Sequence, residues 1–79
     1  MMARPSRAEM RAMAADSERA AARSDAAAAS GDRAAADPTN SPTLRAQAKT
    51  AAGFARNHAQ EYREDAAKLR EGYLPGEDW

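Results

Sequence analysis

The sequence predicts an all-α fold, two long antiparallel helices forming a helical hairpin of the alanine-rich coiled-coil type, with surfaces suited to assembly into a bundle. Three observations carry this expectation. Residues 9–36 repeat every seven residues, as EMRAMAA, DSERAAA, RSDAAAA and SGDRAAA, the spacing that keeps one stripe of a helix turned toward a partner helix. A cluster of turn formers, Asp37-Pro38-Thr39-Asn40-Ser41, follows the repeat at once. Beyond it, small and apolar residues recur at steps of three and four from Leu44 to Tyr73.

Residues 1–6 read as a flexible N-terminal arm. Ser6 and Glu9 have the capping-box spacing, in which each side chain can bond the other's unpaired backbone N–H. The first helix is expected over 7–36. With Met10 at heptad position a, Ser17, Ser24 and Gly31 share that position, Met13, Ala20, Ala27 and Ala34 take d, and Ala14, Ala21, Ala28 and Ala35 take e. The result is a shallow stripe of small side chains bordered by charges, and small seams let helix axes approach to the short end of the usual range, about 8 Å. Pro38 ends the helix, and residues 37–41 form the turn.

Ser41 and Pro42 restart helix as an N-cap hydroxyl and a first-turn proline, whose missing N–H has no partner there in any case. The second helix is expected over 42–72, with Gly72 as its left-handed cap and Pro75 beyond. Its inward stripe is Leu44, Ala48, Ala51, Ala55, Ala59, Tyr62, Ala66, Leu69 and Tyr73. An antiparallel register centred on the turn pairs residues whose numbers sum to about 79, which sets Met10 against Leu69, Ser17 against Tyr62, Ser24 against Ala55 and Gly31 against Ala48. Gly53 lies inside this helix and weakens it by roughly 1 kcal/mol relative to alanine, marking a bend or a close crossing.

Composition limits what such a hairpin can be. Its hydrophobic residues are 43% of 79, yet 23 of them are alanine, and neither Val nor Ile occurs. A buried methyl contributes only about 0.8 kcal/mol, so local helicity is strong while tertiary stability is thin, and final order is expected to lean on association. The 12 basic and 12 acidic residues are interspersed, without the basic block that nucleic-acid binding needs. Absence of cysteine excludes disulfides and thiolate metal sites. No apolar run reaches the roughly 18 residues of a membrane span, and nothing resembles a secretory signal, so a cytoplasmic location is the expectation. The preference for Arg over Lys and the abundance of Ala, Asp and Glu resemble a GC-rich bacterial or bacteriophage coding background.

Chemistry-bearing residues are few. His58, the single histidine, has Glu61 and Asp65 downstream on the same helix, but one imidazole without a second His or Cys is a thin ligand set. Glu61, Glu64, Asp65 and Glu71 are interleaved with Arg63, Lys68 and Arg70, as on a solvated, ion-paired helix face. Ser17 and Ser24 have no base within helical reach. Arg4, Arg7, Arg11, Arg19 and Arg23 could follow phosphates, but acidic residues interrupt them. No catalytic residue, cofactor, metal or small-molecule substrate is therefore expected, and no membrane partner.

The tail, residues 73–79, places Tyr73, Leu74, Glu77 and Trp79 in an acidic segment after the helix stop. These residues are candidates either for a partner-docking peptide or for a cap folded over the open end. A helical hairpin followed by Tyr73-x-x-x-Glu77 resembles the WXG family of type VII secretion substrates, with Asp-Pro-Thr-Asn-Ser where that family's turn carries Trp-x-Gly; the resemblance implies a small secreted hairpin. The leading expectation is a non-enzymatic protein–protein interaction or assembly module. It would bind itself or another helical protein, as a self-associating unit or an accessory subunit of a larger bacterial or phage complex. A nucleic-acid-associated regulator is a further alternative.

Overall fold

A computed structural model describes residues 3–77; Trp79, named above with the tail, lies outside them. Two helices, α1 (Arg7–Ala36) and α2 (Pro42–Glu71), each of 30 residues, pack antiparallel as a helical hairpin, and no strand occurs among the described residues. The molecule measures 55 × 20 × 19 Å, a rod of nearly equal width and depth.

Both ends of both helices are closed by specific bonds. Ser6 Oγ accepts from the Glu9 N–H at 3.0 Å while Glu9 Oε1 accepts from the Ser6 N–H at 3.1 Å, so two orphan donors are satisfied reciprocally. At the turn, the Asp37 carboxylate accepts from the backbone N–H of Thr39 at 2.9 Å and from its hydroxyl at 2.7 Å. These bonds hold the Asp37 carboxyl below its usual range, the hydroxyl bond contributing most. The last carbonyls of α1 are met from beyond the turn, Ala34 O by the Asn40 amide at 3.0 Å and Ala35 O by Arg45 Nε at 2.8 Å. The helix ends in this turn because the chain supplies side-chain donors for the carbonyls that a helix leaves unpaired. Ser41 Oγ then caps α2 by accepting from the Leu44 N–H.

Gly72 terminates α2 at φ 100°, with its N–H on Leu69 O and the Tyr73 N–H on Lys68 O. This left-handed position suits glycine. Cationic groups complete the cap from the other end of the chain: Arg7 Nη1 donates to Glu71 O and Arg4 Nη2 to Gly72 O. Positive charge is favourable beside the negative end of the α2 dipole. Arg4, within the arm expected from the sequence, also pairs with Glu77.

The core is one line of alanines with bulk at a single end. Met10, Ala14, Ala21 and Ala28 of α1 are buried against Ala52, Ala59, Ala66 and Leu69 of α2. The register agrees with Met10 near Leu69, which share a cluster with Ala14 and Ala66, with Met13 and Leu74 packed against it. At the turn end the helices meet at Gly31, where a Cβ would stand 2.9 Å from Ala48 O and 3.0 Å from Ala52 Cβ. Gly53, by contrast, has open space around it, so the close crossing belongs to Gly31.

Candidate functional site

The hairpin has two unlike flanks, and the helical period decides which residues fall on each. Taking the buried line Ala14, Ala21, Ala28 as the centre of α1, the residues four further on, Glu18, Asp25 and Asp32, fall on one side of it, and Ser17, Ser24 and Gly31 fall on the other.

On the first flank the three acids meet three arginines of α2, also spaced by seven. Arg70 binds Glu18 at 2.7 Å, Arg63 binds Asp25, and Arg56 makes a two-pronged bond to Asp32 at 2.7 and 3.2 Å. The Arg56 bonds hold the Asp32 carboxyl below its usual range. Between the Glu18–Arg70 and Asp25–Arg63 pairs lies a groove of about 460 Å³ floored by Ala21, Ala22, Ala66 and Ala67. Its walls are ion pairs that satisfy each other, and it is lined by neither histidine nor serine. Sequence reasoning missed these pairs, although Glu18, Asp25, Asp32 and Arg56, Arg63, Arg70 each recur every seven residues.

Onto the second flank fall the residues proposed from the sequence as the helix–helix seam. Met10 and Leu69 are buried, and Met13, Ser17, Ala20, Ser24, Gly31, Ala34, Ala48 and Ala55 are half-buried. Ala27 and Ala51 are exposed, as are Leu44 at 46% and Tyr62 at 39%, which corrects their expected inward placement. The seam is therefore centred on heptad position e, at one border of the expected d-a-e face, and these four exposed residues lie at its outer edge. With Glu18, Asp25 and Asp32 bonded to the α2 arginines, Ala14, Ala21 and Ala28 at position e face α2, Met10 and Gly31 at position a stay in contact with it, and the remaining a and d residues lie further out on the other side.

The second helix carries a further uncharged stripe on its outward side. Leu44, Gln47, Ala51, Phe54, His58 and Tyr62 lie within an arc of about 80° on a helix of 100° per residue. No Asp, Glu, Lys or Arg interrupts that arc between Leu44 and Tyr62. Phe54, absent from the expected seam, is the most exposed large apolar side chain among the described residues, at 62%. Its signal was available: it stands ten residues after Leu44 and three after Ala51, both on the same helix face. His58 is exposed, and among the described residues no group of three His, Asp or Glu is placed to hold a metal ion.

The tail residues divide. Leu74 packs on the Met10–Leu69 cluster, Tyr73 is 36% exposed, and the Lys68 ammonium lies 5.9 Å from the Tyr73 ring centroid. Glu77 folds back: its carboxylate accepts from Arg4 at 2.6 Å and from the Leu74 N–H at 2.7 Å, and these bonds, Arg4 first, hold its carboxyl below the usual range. Tyr73 and Glu77 thus turn to different neighbours. No helix among the described residues is long and apolar enough to cross a membrane. No family model matches this chain, and no curated protein or solved structure matches it either.

Proposed function

We propose that this chain works by non-enzymatic protein–protein association, as a self-associating helical module that can also serve as a subunit of a larger assembly. One observation carries the reading. Among the described residues the buried core holds Met10, Leu69 and six alanines, while Leu44, Phe54, Tyr62 and Tyr73 stand exposed. A hairpin with so little apolar bulk in its core has a thin margin of stability, and large apolar side chains left exposed along one helix suit contact with another protein.

Other features support the same reading. Eight of the ten arginines, Arg4, Arg7, Arg19, Arg33, Arg45, Arg56, Arg63 and Arg70, donate to groups of the chain itself. Cations spent on internal partners make a poor phosphate track. The use of Leu74 and Glu77 in closing the open end favours a cap over a free docking peptide.

A helical circular-dichroism melt at several protein concentrations tests the proposal. The midpoint is expected to rise with concentration, because a species that binds the folded state stabilises it by mass action. A midpoint that stays fixed across that series would overturn self-association.

A further inference from the structure

We propose that the open end of the hairpin is a releasable clasp: residues 74–77 seat on residues 4–7 as one unit, and their release uncovers the Met10–Leu69 cluster while both helices stay formed. Such a clasp works within one chain and does not depend on association.

The tail is built to hold its own shape. Leu74-Pro75-Gly76-Glu77 carries proline and glycine where a type II turn asks for them, Gly76 stands at φ 87°, and the Glu77 N–H donates to Leu74 O at 3.0 Å. The Glu77 carboxylate closes a second ring by accepting from the Leu74 N–H at 2.7 Å. Leu74 is thereby locked to Glu77, and whatever holds the carboxylate holds the apolar side chain too. Arg4 grips it with both prongs, Nη1 to Oε2 at 2.6 Å and Nη2 to Oε1 at 3.1 Å, and Nη2 also donates to Gly72 O at 3.1 Å. Arg7 lies beside this pair over Gly72, where a Cβ would collide with Arg7 Nη1.

The helices have their own closures at this end. The first turn of α1 is capped by Ser6 and Glu9, and the last turn of α2 by the N–H groups of Gly72 and Tyr73. The Arg4 and Glu77 side chains are 57% and 41% exposed, and a pair so open to water contributes little to stability. The clasp can therefore open without unfolding either helix, as segments held by few buried contacts do. What it covers is the bulky end of the core, since Leu74 packs on the cluster of Met10, Ala14, Ala66 and Leu69.

Two readouts on the full chain test the clasp: the nitrogen-15 heteronuclear NOE for backbone order, and oxidation of Met10 by hydrogen peroxide for access to the cluster. Peroxide passes one oxygen to an accessible thioether, leaving sulfoxide and water. In the wild type the NOE of Leu74, Gly76 and Glu77 should match that of the helices. Gly76→Ala adds a Cβ that meets nothing within 4 Å but demands a φ that L-residues resist. This variant and Arg4→Ala should each lower the tail NOE and raise the Met10 oxidation rate about two- to fivefold, the range that loss of an exposed pair allows, with helical circular dichroism unchanged. Gly76→Ala should also lower the NOE of Arg4, because the two segments order each other. A tail that loosens while Met10 oxidises at the wild-type rate, or while Arg4 keeps its order, would overturn the proposal. So would helix content lost in step with the tail, or a wild-type tail already as loose as in the variants.

Discussion

Two glycines in helix interiors have opposite roles, and a single methyl distinguishes them. At Gly31 an added Cβ meets Ala48 O at 2.9 Å and Ala52 Cβ at 3.0 Å, so the facing backbone must retreat. At Gly53 the same methyl meets nothing within 4 Å. Glycine in a helix costs about 1 kcal/mol relative to alanine. Gly53→Ala is therefore expected to stabilise the hairpin by roughly that amount, and Gly31→Ala to destabilise it despite the same propensity gain. Urea unfolding of the two variants checks this, and a stabilising Gly31→Ala would show that the helices separate there without penalty.

For the helices as elements, packing depends on alanine being the largest residue that fits along most of the seam. Ala59 is fully enclosed, whereas Ala26 is exposed. Ala59→Leu is expected to cost about 1–3 kcal/mol by overpacking, and Ala26→Leu to change stability by less than about 0.5 kcal/mol, as surface exchanges usually do. Thermal melts separate the two; equal effects would mean that the seam opens to accept a larger residue. The ion pairs act on register at this same scale. Their seven-residue spacing means that sliding α2 along α1 by one turn removes every pairing, so their contribution is to orientation more than to raw stability, as is usual for exposed pairs.

Across the whole molecule, the chain ends are joined through Arg4 and Glu77, 73 residues apart in sequence. The Arg4 guanidinium and the Leu74 N–H lower the Glu77 pKa in the folded chain. A depressed carboxylate pKa contributes stability that is present above the unfolded value and is lost as pH falls through the folded one. Acidification below the ordinary carboxylate range should therefore release the tail. Carbon-13 NMR titration should place the Glu77 midpoint below an ordinary glutamate, and Arg4→Ala should move it upward. An unmoved midpoint would show that Arg4 does not hold the tail in solution. That closure shields Leu74 and the Met10–Leu69 cluster, the one place where the hairpin has bulk to protect.

The hairpin was legible from local chemistry alone: Ser6 with Glu9, the turn formers from Asp37 to Ser41, Pro42 and Gly72 act through bonds to near neighbours, which a linear reading can follow. Seven-residue spacing likewise announced that α1 packs on another helix. It could not say how α1 is rolled about its axis, because a, d and e positions rich in alanine and serine differ too little in apolar character to choose a centre. That choice was made between helices, by Glu18, Asp25 and Asp32 reaching Arg70, Arg63 and Arg56 and by the tight approach at Gly31. It moved Ala14, Ala21 and Ala28 inward and turned Ala27, Leu44, Ala51 and Tyr62 out. The exposed stripe containing Phe54 follows from the same roll. In an alanine seam, side-chain volume sets how near the helices come, and long-range charge pairing sets which faces meet.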